Sequence, residues 1–120
     1  MGRSNRLLIF FGYAAFVAVA TLIPTPDAAV VAIPGLDKVV HVCLFGGLGG
    51  LGAWSAPDKY LEVAVGGMGF GLATELGQTL VPTRSFDLLD LAADAAGVLL
   101  GILVWQVGVR WRRRRGNPGP

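Results

Sequence analysis

The chain holds one cysteine and one histidine in 120 residues, and only 15% of its residues are charged. With Cys43 alone, no internal disulfide can form, so no covalent staple holds the fold. Its neighbours are apolar, where burial and packing are expected rather than reactivity. Low charge set against 53% hydrophobic residues and a mean hydropathy of +0.61 excludes an ordinary soluble domain. No H-E-x-x-H, H-x-x-E-H or Gly-x-Ser-x-Gly sequence is present, so the usual signatures of metallopeptidases and serine hydrolases are missing. Internal repeats are also absent, and the connections leave no room for a soluble domain.

What the chain does have is four apolar stretches, at about residues 7–23, 39–54, 60–81 and 88–109. In hydrocarbon these are expected as helices, because an open strand would leave its backbone groups unpaired. The third and fourth, about 22 residues each, would extend about 33 Å and cross a bilayer core of ~30 Å. The first, about 17 residues, is at the lower limit, and the glycine-rich second is the weakest span. Arg3, Arg6 and the apolar run after them resemble a secretory leader. No A-x-A-like site precedes a soluble mature domain; Pro24-Thr25-Pro26 and then further membrane segments follow, so a retained first span is expected. The expectation is an all-α membrane protein: one four-helix transmembrane domain over residues 1–109, then a basic tail over 110–120.

Charge placement predicts orientation. Arg3, Arg6, Lys59, Arg110 and Arg112 to Arg115 are eight of the ten basic residues, and four spans place them all on one side. The positive-inside rule makes that side the cytoplasm, with both termini in it. That side sums to +6; the outer side, with Asp27, Asp37, Lys38, Glu75, Arg84, Asp87, Asp90 and Asp94, sums to −4. The arginine run abuts a span, so anionic lipid is its expected partner and nucleic acid is not. Glycines one helical turn apart, at Gly46 and Gly50, Gly67 and Gly71, and Gly97 and Gly101, predict close helix packing within the chain, with a homo-oligomer as the alternative.

Ionisable groups at membrane depth are expensive, about 2.5–3.5 kcal/mol each at a helix centre, so they mark where function sits. Glu75 and Gln78 share one face of the third segment. Asp87, Asp90 and Asp94 follow i, i+3, i+7 on the fourth, and Asp37, Lys38 and His41 stand at the start of the second. The three faces are expected to form one pocket open to the outer side. Structural roles compete: Asp87 as a helix cap, Asp37 and Lys38 as interfacial anchors, His41 as a packed polar residue, Arg84 as a counter-ion to nearby acids. Glu75, Gln78, Asp90 and Asp94 lie deeper in apolar sequence and are harder to explain as structure alone.

These residues resemble the VanZ-like family of small bacterial membrane proteins, named after a teicoplanin-resistance factor. The resemblance rests on Asp37-Lys38-x-x-His41, Glu75-x-x-Gln78, the Pro82-Thr83-Arg84 turn, and Asp90-x-x-x-Asp94-x-x-Gly97, in order and at similar spacing. It covers roughly residues 36–103. One position departs, since Asp94 stands where the family commonly has asparagine.

The resemblance implies a multi-pass protein of the bacterial cytoplasmic membrane acting at the outer face of the envelope. Its implied effect is lower glycopeptide sensitivity through an envelope ligand, with Lys38, His41, Glu75, Gln78, Arg84, Asp87, Asp90 and Asp94 as ligand-binding residues. In this reading Lys38 and Arg84 pair with an anionic group, Gln78 donates hydrogen bonds, and the acids meet amines or sugar hydroxyls. The alternative is a membrane hydrolase or transferase acting on a lipid-linked substrate, with Glu75, His41 and Asp90 as acid–base candidates. One histidine among several acids is a permissive set for a metal, so neither metal nor cofactor is expected. A proton or ion path is disfavoured, because the inner halves of the spans are bare of ionisable groups.

Overall fold

The computed structural model describes residues 1–23, 35–82, 85–117 and 119–120. The apolar connection at Val30 to Ile33 and Arg84 lie outside the described residues. Among the described residues the regular structure is helical: α1 (Arg3–Leu22), α2 (Leu36–Ser55), α3 (Tyr60–Gln78) and α4 (Leu88–Gly116).

Local chemistry sets these ends. Gly35 precedes α2 at φ 80°, a left-handed conformation that glycine adopts without a Cβ penalty. Pro57 lies in the turn between α2 and α3. α3 stops at Gln78, short of the expected residue 81, because the N–H groups of Thr79, Leu80 and Val81 donate to carbonyls three residues back. That tightened turn runs into Pro82, which cannot continue a helix. Asp87 caps α4 by accepting a 2.9 Å hydrogen bond from the Leu89 N–H. α4 then runs 29 residues, so the arginine run is helical where a separate tail is expected from sequence. Arg115 lies over the Trp111 ring at 3.9 Å, one turn back.

α1, α2 and α4 are each long and apolar enough to cross a membrane. The sequence expectation is changed in its middle: the segment read as weakest is a 20-residue helix, whereas α3 has 19 residues and is not among the three. α3 carries Glu62 in its first turn and Glu75 and Gln78 in its last, which lowers its apolarity.

The helices run up-down-up-down. Arg6 at the start of α1 donates to the Trp54 carbonyl at the end of α2 (3.2 Å), and Gln78 at the end of α3 reaches Thr21 at the end of α1. α2 and α4 are parallel and make the closest contact. Gly97 and Gly101 of α4 lie against the backbone of Val42, Gly46 and Gly50 on α2. A Cβ on Gly97 would stand 2.6 Å from the Val42 carbonyl oxygen, so the glycine steps are intramolecular packing surfaces here. Gly67 and Gly71 of α3 instead make room for the side chains of Val98 and Asp94. A small core of Val17, Phe45, Leu48, Ala53, Val98 and Ile102 fills the centre. Leucines, valines and phenylalanines such as Leu8, Phe11, Leu61, Val65, Leu103 and Val104 point outward, the inverse of a soluble bundle.

Cys43 corrects its expected burial. The inward face of α2 is His41, Phe45, Leu48, Gly49 and Gly52, and Cys43 sits off that stripe, exposed on the apolar exterior.

Candidate functional site

The alternation of the helices brings the C-terminal ends of α1 and α3 and the N-terminal ends of α2 and α4 to one end of the bundle. Polar side chains there interlock in two layers. In the outer layer the Lys38 ammonium donates to Asp37 Oδ2 (2.8 Å), Asp87 Oδ2 (2.8 Å) and Asp90 Oδ1 (2.5 Å). An ammonium has three protons, and these three carboxylates use them all. The Lys38 hydrogen bond, aided by the Leu89 N–H, holds the Asp87 carboxyl below the ordinary aspartate range.

The inner layer is drier. His41 Nδ1 lies 2.6 Å from Asp94 Oδ1, and the Asp94 side chain is fully buried. With Asp94 ionised its carboxylate accepts and Nδ1 carries the proton, which leaves Nε2 facing Asp90 Oδ2 at 3.9 Å. Phe45 lies parallel to the imidazole at a ring distance of 6.4 Å, and Gly71 leaves the space that Asp94 occupies. Glu75, fully buried, accepts the Asp87 N–H at Oε2 (3.0 Å). Its Oε1 and Asp94 Oδ2 are buried without a hydrogen-bond partner among the described residues.

Of the residues read from sequence, the fold gathers Lys38, His41, Glu75, Asp87, Asp90 and Asp94. Gln78 is turned away, its Nε2 donating to the Thr21 carbonyl (2.7 Å), one of the carbonyls left open at the end of α1. It ties α1 to α3. Arg84 lies outside the described residues. Asp37 joins the cluster as a full partner of Lys38, though its sequence position read more as an interfacial anchor. Thr21 and the supporting Gly71 were missed. Only the glycine spacing of α3 pointed at the latter.

Among the described residues two groups of donors are close enough together to hold a cation: His41, Glu75 and Asp90, and separately Asp37, Asp87 and Asp90, each with ligand atoms within 4.8 Å of one another. Lys38 already serves the second group as its cation.

Asp94→Asn keeps an acceptor for His41 while removing one charge from an acid-rich cluster. The weaker neutral bond costs about 1 kcal/mol and the relief of repulsion offsets it. The variant is expected to melt within about 1 kcal/mol of the native protein in detergent.

Fold and site together define an all-helical membrane protein with an interlocked acidic cluster at one end of its bundle. The chain belongs to the VanZ/LLP1 family, whose model matches residues 4–109, so every motif position from Asp37 to Gly97 lies inside the match. No curated protein and no solved structure matches the chain.

Proposed function

We propose that the protein crosses the cytoplasmic membrane four times with both termini in the cytoplasm, presents the acidic cluster to the outer face, and there binds an envelope ligand, lowering sensitivity to glycopeptides such as teicoplanin. The observation that carries this reading is the charge imbalance. Among the described residues five carboxylates, Asp37, Glu75, Asp87, Asp90 and Asp94, face one ammonium and one imidazole at the end of an apolar bundle. Lys38 is shared by three of these acids, so the cluster suits amines and hydroxyls better than an anionic group. Segregation of eight of the ten basic residues to the opposite end supports the orientation.

One observation favours a second reading. The Asp94–His41 pair beside Glu75 resembles an oriented acid–base couple, which fits a hydrolase or transferase acting on a lipid-linked substrate.

The test is teicoplanin susceptibility of a sensitive Gram-positive host expressing the chain, beside a Glu75→Gln form at matched membrane level. Protection by the native chain that falls in the variant is the expected result. Equal susceptibility with and without the folded native chain would remove the glycopeptide role. Complete loss with Glu75→Gln favours catalysis, since a general acid–base fails outright, whereas partial loss favours binding.

A further inference from the structure

We infer that His41 Nε2, Asp90 Oδ2 and Glu75 Oε1 form a site for one divalent transition-metal cation, of the kind that accepts imidazole together with carboxylate. The inference stands apart from the glycopeptide reading, because the metal can bind whether or not susceptibility changes.

Three observations converge. The first is that each of these three side chains has one donor atom engaged by a hydrogen bond and one left over. Asp90 Oδ1 is held by Lys38, Glu75 Oε2 by the Asp87 N–H, and His41 Nδ1 by Asp94. What remains is one free atom on each side chain. A ligand atom from each of the three residues lies within 4.8 Å of the other two. A first-row cation holds N and O at about 2.0–2.2 Å, hence donors up to about 4.4 Å apart, so small side-chain rotations close the set.

The second is the orphaned oxygen. Glu75 is fully buried, yet its Oε1 has no hydrogen-bond partner among the described residues. A buried polar atom left without a partner carries a desolvation penalty, and a cation bound beside Glu75 removes it.

The third is the support behind the histidine. A carboxylate on the far ring nitrogen fixes the tautomer and aims the other nitrogen, an arrangement typical of histidines that ligate metals. Asp94 does this from a position with no solvent exposure. The acidic trio of Asp37, Asp87 and Asp90 has none of these features, since Lys38 occupies it.

Ligand chemistry selects the cation. One imidazole with two carboxylates favours zinc, cobalt or manganese over magnesium and calcium, which prefer oxygen alone.

The experiment is equilibrium binding of Zn²⁺ to the full chain in detergent, with any affinity tag removed, together with the visible spectrum after Co²⁺ loading. About one equivalent per chain is expected, with a Co²⁺ ligand-field spectrum that millimolar Mg²⁺ does not erase. Glu75→Gln keeps the side-chain shape and is expected to weaken Zn²⁺ by about 100-fold, and Asp94→Asn by about 10-fold through the histidine. Glu62→Gln, at the opposite end of the bundle, should bind as the native chain does. Three results would overturn the inference: a native chain that takes up no Zn²⁺ or Co²⁺, unchanged affinity in folded Glu75→Gln, or an equal loss in Glu62→Gln. The native-chain measurement decides even if a variant fails to fold.

Discussion

Lys38→Met should loosen the polar end of the bundle and lower stability by about 2 kcal/mol, between the ranges for removing one partner of an exposed and of a buried ion pair. The expectation follows from how many acids depend on one group. Lys38 bridges Asp37 on its own helix to Asp87 and Asp90 on α4, and its side chain is 29% exposed. Methionine keeps most of the apolar stem and removes the charge, leaving three carboxylates close together with no cation among the residues described around them. Partial exposure of Asp37 and Asp87 lets water screen some of that repulsion, which keeps the effect below the extreme for fully buried pairs.

The sign of the pH response is also fixed. Asp87 has its folded pKa held below the ordinary value, so its contribution is present above that value and fades as the pH falls toward the folded pKa. Native protein should therefore lose stability as the medium is taken below about pH 4, the ordinary aspartate range. Lys38→Met should lose less over the same interval. Thermal melting in detergent across pH measures both effects. Lys59→Met, at the opposite end of the bundle, is the control expected to melt as the native chain does. Equal melting of Lys38→Met and Lys59→Met would mean that the ammonium does not hold the cluster together.

Gly101→Val should be still more damaging, at about 3 kcal/mol or more, because the atoms in the way are backbone. A Cβ at Gly101 would overlap the Gly46 carbonyl oxygen and stand 2.7 Å from the Gly50 nitrogen. No side-chain rotation relieves that overlap; α2 and α4 must separate. Separation reaches the site directly, since Lys38 and His41 on α2 meet Asp87, Asp90 and Asp94 at the head of the same helix pair. Gly108 is the matched control, on the same helix with nothing within 4 Å of an added Cβ. Gly108→Val should behave as native by melting and by elution on size exclusion, and Gly101→Val should fail both. Comparable behaviour of the two variants would mean that the glycine contact is not what holds the helices together.

Much of this was legible in the sequence, for definite reasons. Apolar length identifies membrane helices because hydrocarbon leaves the backbone no other partners, and α1, α2 and α4 agree with it. Family membership was legible as well, since Asp37, Lys38, His41, Glu75, Gln78, Asp90 and Gly97 stand at set intervals within the matched region. Helical periodicity put Asp87, Asp90 and Asp94 on one face. Chain position put Asp90 and Asp94 deeper than Asp87, and the structure agrees, from Asp87 at 40% exposed to fully buried Asp94; periodicity alone ranks none of them. Periodicity likewise put Glu75 and Gln78 together, whereas the bundle divides them: one serves α4 and the other closes α1. Helix ends were misjudged where hydrogen bonds rather than hydropathy decide them, as in the tight turn after Gln78 and the continuous helix through the arginines.

By itself, then, the sequence determined the class of protein, the family and the segregation of charge to two ends, because these depend on residue type and spacing along one chain. Pairing was decided only by the tertiary structure. Which acid holds Lys38, which one orients His41, and which atom of Glu75 is left over all depend on contacts across helices, at distances that no single helix specifies. Glycine set the outcome: where α2 and α4 lack side chains their backbones touch, and that approach brings residues about 50 positions apart within hydrogen-bonding reach.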